Sequence, residues 1–322
     1  MRRYLICLAL WAGLYSAMNH PWSHAADQGW KLTWHDEFEG TQLDRSKWDF
    51  DIGNGFYSYT AHQWISGWGN DELQYYTRDP ENAWVGDGML HIRVLKESLH
   101  GCGYTSARLK TRGRDGRALF AQQYGRFEVR AKLPLGQGLW PAIWMLPATE
   151  RYGGWAASGE IDILEARGQH PHEIVGSLHF GGAWPANTHV STTYRLPKHT
   201  TIADFHTYAV EWDPGEIRWY VDDTCYATQN FWYASQTGGQ PPQSERDLYP
   251  WPAPFDQPFY LILNVAVGGR FVGKPDAATP FPAEMLVDYV RVYERTQLPP
   301  LKPRGTGTFP FSKRQTSEGQ DK

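Results

Sequence analysis

Short runs in which apolar and polar residues alternate recur along the chain from about residue 30. The alternation is regular in residues 89–95, 125–132, 217–221 and 287–293. Because successive side chains of a β-strand point to opposite faces, a period of two predicts strands that are buried on one side. The sequence has no long amphipathic helical pattern, and turn residues separate the runs. Many short strands without intervening helices predict an all-β sandwich of two antiparallel sheets.

The two ends of the chain differ from its middle. Residues 1–25 combine two arginines with an apolar run shorter than the roughly 20 residues needed to cross a membrane. They predict a signal peptide cleaved near Ala25 or Ala26, so the mature chain is expected to be secreted or periplasmic and not held at a membrane. Residues 26–296 show no linker or repeat and predict one domain. Residues 297–322 are rich in proline, glycine and polar side chains and predict a disordered tail.

The mature chain would contain two cysteines. Export would place Cys102 and Cys225 in an oxidising compartment, where they could pair. Nothing in the sequence fixes the distance between them, so two free thiols are the equal alternative.

Aromatic residues are more numerous than a core of this size needs, with 16 Trp and 18 Tyr. Flat aromatic faces stack on the apolar C–H faces of sugar rings, although many of these residues could instead fill a wide sandwich core. The formal net charge of −4 at pH 7 gives no basic surface of the kind that nucleic acids need. Composition therefore favours a carbohydrate partner and argues against a nucleic acid.

Three carboxylates occupy one predicted strand, Glu160-Ile161-Asp162-Ile163-Leu164-Glu165. Alternation places Glu160 and Asp162 on the same face, where their charges repel and one of them should have a raised pKa. Glu165 would point to the opposite face of a regular strand. A β-bulge around residues 163–164 would add one residue and bring all three carboxylates into one cleft. The alternative, an acidic strand that faces solvent, fits poorly with its apolar neighbours.

Such a set of carboxylates is suited to cutting glycosidic bonds. Retaining glycoside hydrolases use two carboxyl groups about 5–5.5 Å apart, a separation that side chains on one strand can reach. Glu160 is then the expected nucleophile and Glu165 the acid/base, with Asp162 between them to share protons. The sequence has no His/Cys cluster that indicates a catalytic metal, so no cofactor is expected for catalysis.

The carboxylate strand is accompanied by further sequence blocks, from Trp-His-Asp-Glu-Phe at residues 34–38 to Asp-Tyr-Val-Arg-Val at residues 288–292. Together they resemble glycoside hydrolase family 16, in the branch with a bulged Glu-x-Asp-x-x-Glu motif. The resemblance implies a β-jelly-roll sandwich with a concave substrate cleft, retention of anomeric configuration, and the same roles for the three carboxylates. Residues 26–296 are then the catalytic domain. The matching blocks are residues 34–38, 68–76, 140–144, 206–212, 259–264 and 288–292.

Within that family, residues 68–76 and 177–184 are most similar to bacterial endo-β-1,3-glucanases, or laminarinases. This closer resemblance implies an endo-acting enzyme whose partner is a laminarin-type β-1,3-glucan. A monomer is expected.

Several side chains are expected to bind the sugar chain. The resemblance implies three of them, Asn70, Arg108 and Asn264. The others follow from strand parity with the carboxylates or from aromatic loops nearby, with a core position as the alternative for Trp144 and a structural role as the alternative for His179. These further candidates are Trp140, Trp144, Trp155, His179 and Trp184.

Family members often carry a structural calcium far from the cleft. By resemblance its ligands here are backbone carbonyls of Glu37 and Gly88 and the side chain of Asp288. Calcium prefers such oxygen ligands.

Other functions stay open on the sequence. The same fold occurs in non-catalytic β-glucan recognition proteins, although the three carboxylates kept here argue for an enzyme. Hydrolases of this branch also act on other polysaccharides, such as agarose, carrageenan or mixed-linkage glucan. Transglycosylation is a further alternative to hydrolysis, and the balance between the two depends on water access after the covalent intermediate forms.

Overall fold

The computed structural model of the protein describes residues 29–58 and 62–309. The predicted signal peptide, residues 1–25, lies outside these residues. Within them, no helix is long and apolar enough to cross a membrane.

Almost all regular structure in the described residues is β-strand, with only two short 3₁₀ helices, Gly67–Gly69 and Glu245–Asp247. The strands are β1 (Trp30–Asp36), β2 (Asp49–Phe50), β3 (Gly55–Ser58), β4 (Gln63–Ser66), β5 (Gln74–Tyr76), β6 (Ala83–Gly86), β7 (Met89–Val94), β8 (Tyr104–Ser106), β9 (Arg108–Lys110), β10 (Gly125–Lys132), β11 (Leu139–Pro147), β12 (Glu160–Glu165), β13 (Glu173–Gly181), β14 (Asn187–Arg195), β15 (His206–Asp213), β16 (Glu216–Val221), β17 (Thr224–Gln229), β18 (Phe259–Val267) and β19 (Ala283–Arg295).

Two large antiparallel sheets contain most of these strands. The seven-stranded sheet has the order β14-β13-β12-β11-β18-β9-β2. The eight-stranded sheet has the order β17-β16-β15-β10-β19-β7-β6, and β1 also pairs with β19. The all-β sandwich predicted from the alternating runs is therefore confirmed.

The core lies between the two sheets and explains the alternation. In β10, buried and half-buried residues alternate along the whole strand, and Phe127, Val129 and Ala131 point into the core. Strand β18 is different, because all nine of its residues are buried. One of its faces contacts the core, and side chains of the candidate site described below cover the other.

The carboxylate strand β12 contains the predicted bulge. On one side Asp162 pairs with Ser177 and Glu165 with Val175, so three steps on β12 match two steps on β13. On the other side the register with β11 shifts at the same place. Because one residue is extra, Ile163 and Leu164 are both buried in the core and Glu165 returns to the face of Asp162. The prediction of a bulge at residues 163–164 is confirmed.

The tail differs from its prediction. Residues 297–309 lie along the domain: the Trp251 indole N–H donates a 2.7 Å bond to the Lys302 carbonyl, and the Gly305 amide donates one of 2.7 Å to a neighbouring loop. The prediction of a disordered tail from residue 297 is therefore wrong for this segment, because these contacts with distant loops leave no trace in its composition. Residues 310–322 lie outside the described part of the chain.

The cysteines do not pair. Cys102 is half-buried, Cys225 is exposed, and both are free thiols. Of the two alternatives left open by the sequence, the structure shows the second.

Candidate active site

The bulge brings three carboxylates to one face of the seven-stranded sheet. Residues directly opposite each other in an antiparallel sheet point to the same side. Glu160 lies opposite His179 of β13, and Asp162 lies opposite Trp144 of β11. Asp162 is buried, while Glu160 and Glu165 are half-buried. The arrangement places two accessible carboxyl groups on either side of a buried one.

Glu160 is held by an indole and lies near an imidazole. The Trp155 Nε1–H donates a 2.9 Å hydrogen bond to Glu160 Oε2. His179 Nε2 lies 3.6 Å from Glu160 Oε1 and 3.3 Å from Asp162 Oδ2. One oxygen of Glu160 is therefore fixed by a neutral donor, and the imidazole lies between the other oxygen and Asp162.

Glu165 is held in a similar way from the other side. Trp140 Nε1–H donates a 3.1 Å hydrogen bond to Glu165 Oε1. The Trp140 ring is itself packed against Phe271, with 5.1 Å between the ring centroids. Each of the two accessible carboxyl groups thus accepts a bond from its own tryptophan.

Burial and mutual repulsion raise the proton affinity of the pair. Burial, followed by the charge of Asp162, raises the pKa of Glu160 to about 7. The same two causes raise the pKa of Glu165 to about 8. Burial lowers the pKa of His179, but the nearby carboxylates outweigh it and raise that pKa to about 10. Near neutral pH the site therefore holds a cationic imidazole and a proton shared unequally among carboxyl groups.

The raised pKa of Glu165 should also make the stability of the folded state depend on pH. The folded pKa of Glu165 is raised, so the native state keeps a proton that the unfolded chain loses, and stability falls as pH rises from about 4.5 to about 8. We expect Glu165→Gln to raise the melting temperature by several degrees at about pH 9 and to leave it nearly unchanged at about pH 4. Scanning calorimetry at both pH values measures this. Glu128→Gln, on β10 of the other sheet, is the control; an equal rise at both pH values in Glu165→Gln would contradict the assignment.

Trp144 lies in the floor of the site and not in the core. Its Nε1–H donates a 2.7 Å bond to Asn264 Oδ1, and Asn264 Nδ2 donates one of 3.1 Å to the Tyr76 hydroxyl. Asn264 is buried with both ends of its amide engaged by protein side chains. It therefore positions Trp144, a role that the sequence did not predict for it.

Arg108 is a buried part of the same floor. Its guanidinium lies 4.5 Å from the ring centroid of Trp68 and 4.6 Å from that of Trp144. Its Nε lies 3.0 Å from Asp51 Oδ2. Two aromatic rings and a carboxylate thus fix this cation, which adds positive charge beneath the acidic face.

The other predicted binding residues lie at the edges. Asn70 is exposed, and its amide donates a 3.1 Å bond to Glu72. Trp184 is 71% exposed, and its backbone N–H donates a 2.8 Å bond to the Trp155 carbonyl. The loops that carry Trp155 and Trp184 therefore meet beside Glu160.

Some residues of the site were missed by sequence reasoning. Glu72, whose pKa is raised by burial, accepts bonds from Asn70 and Gln74. It belongs to the block at residues 68–76, which could have drawn attention to it. Phe271 gave no signal, because only the folded chain brings it to Trp140.

The carboxylate cluster could also hold a cation. Ligand atoms of Glu160, Asp162 and His179 lie within 4.8 Å of one another. The indole donors on Glu160 and Glu165 already occupy carboxylate oxygens, however, which favours proton transfer over metal binding at this face.

The residues expected to bind calcium meet away from this face. β10 pairs along one side of β19, so β1 and β7 share its other side. β1 ends beside Val290 and β7 begins beside Val287, which leaves Glu37 and Gly88 next to Asp288. The Glu37 side chain binds Arg291 through two bonds of 2.9 and 2.8 Å, so only its backbone carbonyl suits a metal. The Asp288 carboxylate forms an ion pair with Arg130.

Comparisons with known proteins agree on a family. Residues 71–249 match the family described as Glycosyl hydrolases family 16. The chain is 46% identical over 275 residues to "Beta-glucanase" of Rhodothermus marinus, covering 82% of this chain and 85% of that protein. It is 43% identical over 277 residues to "Glucan endo-1,3-beta-glucosidase A1" of Niallia circulans, covering 83% of this chain but only 38% of that protein. This chain thus spans well under half of the second relative.

Solved structures agree with the sequence relatives. The X-ray structure of the laminarinase from Rhodothermus marinus superimposes with a TM-score of 0.67 at 44% identity. The superposition covers 82% of this chain and 97% of the chain in that structure.

Proposed function

The chain belongs to glycosyl hydrolase family 16 and is a glycoside hydrolase, and from that premise we propose that it cleaves β-1,3-glucan within the chain by a retaining double displacement. The observation that carries this proposal is the bulged strand, which presents Glu160 and Glu165 together with a tryptophan donor on each. The chain's similarity to a glucan endo-1,3-beta-glucosidase and to a laminarinase supports β-1,3-glucan as the substrate.

In the first step the Glu160 carboxylate attacks the anomeric carbon. Glu165, protonated, gives its proton to the oxygen of the departing sugar as the glycosidic bond breaks. The raised pKa of Glu165 keeps that proton available near neutral pH. Trp155 holds one Glu160 oxygen by its N–H bond, which leaves the other oxygen to form the glycosyl ester.

In the second step water replaces the departed sugar. Glu165, now ionised, takes a proton from water, whose oxygen attacks the anomeric carbon and releases Glu160. Two inversions give net retention of configuration. Asp162 is buried between the two and raises both pKa values, so it keeps the proton within the pair. His179 balances this charge at 3.3 Å from Asp162.

The substrate is tested by product analysis. Wild-type protein is incubated with laminarin, mixed-linkage glucan and agarose, and released oligosaccharides are resolved by chromatography. We expect a series of short oligosaccharides from laminarin with the β-anomer formed first, as followed by NMR. Agarose cut in place of laminarin would contradict the substrate, and binding without release would support a recognition protein instead.

We also propose that the protein acts outside the cytoplasm as a monomer. Support for export comes from residues 1–25 alone. Sequencing the N-terminus of the protein recovered from culture medium and periplasm tests it, with a start near residue 26 expected.

A structural calcium is proposed at the Glu37 and Gly88 carbonyls and Asp288. Bound calcium would link the end of β1, the start of β7 and the middle of β19, and so stabilise the fold. We expect millimolar calcium to raise the melting temperature by a few degrees, and Asp288→Asn to abolish this rise. Magnesium is the control ion, since it demands a tighter octahedral site. An equal effect of calcium on wild type and Asp288→Asn would place the ion elsewhere.

A further inference from the structure

A small hairpin belongs to neither main sheet. Its strands β3 and β4 pair only with each other, with Tyr57 opposite Trp64 and Phe56 opposite Ile65. The side chains of Phe56, Tyr57 and Trp64 are 44%, 46% and 52% exposed. Among the described residues, the other large aromatic side chains that are exposed to this degree are Trp155 and Trp184. Exposed aromatic surface is thus concentrated in two places, beside Glu160 and on this hairpin.

The base of the hairpin is fixed to the domain. The Gly67 amide donates a 2.7 Å bond to the Asn54 carbonyl, and Gly53 and Tyr76 exchange two bonds of 2.9 Å. A Cβ atom on Gly55 would lie only 2.0 Å from the Ile65 carbonyl oxygen, so the two strands approach closely. The exposed rings are therefore carried by an anchored element.

The hairpin continues the floor of the site. Phe56 lies 6.3 Å from Trp68 between ring centroids, and Trp68 covers the Arg108 guanidinium. Arg108 in turn covers Trp144, which lies opposite Asp162. These side chains form one continuous row from the carboxylates to the hairpin. β9, which carries Arg108, lies three strands from β12, or about 14 Å across the sheet.

The surface suits an uncharged sugar polymer. The residues of β3 and β4 are aromatic, aliphatic, glycine, serine and glutamine, with no charged side chain. Aromatic rings offer apolar faces to the C–H groups of sugars, and the polar side chains beside them can bond hydroxyls. These two strands offer no side chain complementary to a charged partner.

We infer that the β3–β4 hairpin is an additional sugar-binding surface, which holds a glucan chain beyond the reacting units on the β9 side of the site. This inference rests on the proposed function. Because Trp68 and Arg108 lie between Phe56 and the carboxylates of β12, the hairpin contributes to binding of long chains and not to bond cleavage. Short substrates that end before the hairpin do not use it.

The test compares long and short substrates. The triple variant Phe56→Ala, Tyr57→Ala, Trp64→Ala is expected to raise KM for laminarin about 10-fold, as a loss of about 1.4 kcal/mol predicts, with kcat unchanged. Both constants for an aryl β-glucoside of laminaribiose should stay as in wild type. If the triple variant folds poorly, Trp64→Ala alone is tested in its place and should give a smaller rise in KM for laminarin. Trp64→Phe should restore most of the affinity that Trp64→Ala loses.

The control is Trp84→Ala, which removes a half-buried tryptophan from β6 of the other sheet and should leave KM for laminarin unchanged. Melting temperatures verify folding of every variant. The inference would be overturned if the triple variant had an unchanged KM for laminarin, or if its KM rose equally on the short substrate. In both cases hydrolysis of laminarin by the wild type would still uphold the proposed function. Failure of wild type to cut laminarin would overturn both.

Discussion

Replacing Glu160 with glutamine is expected to lower kcat on laminarin by at least about 10⁴-fold, because the amide cannot form the glycosyl ester. The amide should still accept the bond from Trp155, so the fold and substrate binding should be kept. The measurement is reducing-sugar release with purified protein, together with the dissociation constant for laminarin. Glu128→Gln, a half-buried carboxylate of the other sheet, is the matched control and should keep full activity.

A second variant separates the nucleophile from a residue that only supports folding. Glu160→Ala removes the carboxylate and leaves space for a small anion. With sodium azide and an aryl glucoside whose leaving group departs readily, we expect an α-glycosyl azide, since only one inversion takes place. A β-glycosyl azide formed by Glu160→Ala would reverse the assigned roles. The roles would also be reversed if azide failed to rescue Glu160→Ala but rescued Glu165→Ala and gave the α-glycosyl azide.

Glu165→Gln is expected to have an effect that depends on the leaving group. On laminarin the departing alkoxide needs a proton, so kcat should fall by about 10²–10⁴-fold. On an aryl glucoside with an acidic phenol, glycosylation should be far less affected, and a burst of phenol should precede slow turnover. Equal losses on both substrates would show that Glu165 is not the acid.

The pH profile gives an independent check of the same pair. Wild type should show a bell-shaped kcat/KM, since activity needs an ionised Glu160 and a protonated Glu165. The two apparent values belong to the coupled pair, whose pKa values are raised to about 7 and about 8. In Glu165→Gln the fall on the alkaline side should disappear.

Sequence patterns predicted the features that depend on neighbours along the chain. The period of two predicted the sandwich, and the parity of Glu160, Asp162 and Glu165 predicted the bulge, since both follow from the geometry of one strand. Features that depend on distant partners were missed. Arg108 was expected to bind sugar only because of the family resemblance, and the environment made for it by Trp68, Trp144 and Asp51 was not predicted.

The tail shows the same limit. Its composition is typical of disorder, but Gly305 allows an approach in which a Cβ atom would lie 2.0 Å from the Asn230 side chain. Gly307 likewise lies against the Phe231 ring. In this segment glycine serves close packing and not flexibility, which composition alone cannot distinguish.

The position of β19 has a consequence for how the chain folds. Among the described residues it is the last strand in chain order, yet it lies inside the eight-stranded sheet, with β10 on one side and β1 and β7 on the other. Until residue 295 is synthesised, β10 and its neighbours cannot join β6 and β7, and β1 has no partner. Such long-range pairings close large loops and slow folding. The two halves of this sheet therefore stay apart until β19 is available, and fragments that end before residue 283 should be degraded by proteases that leave the whole domain intact.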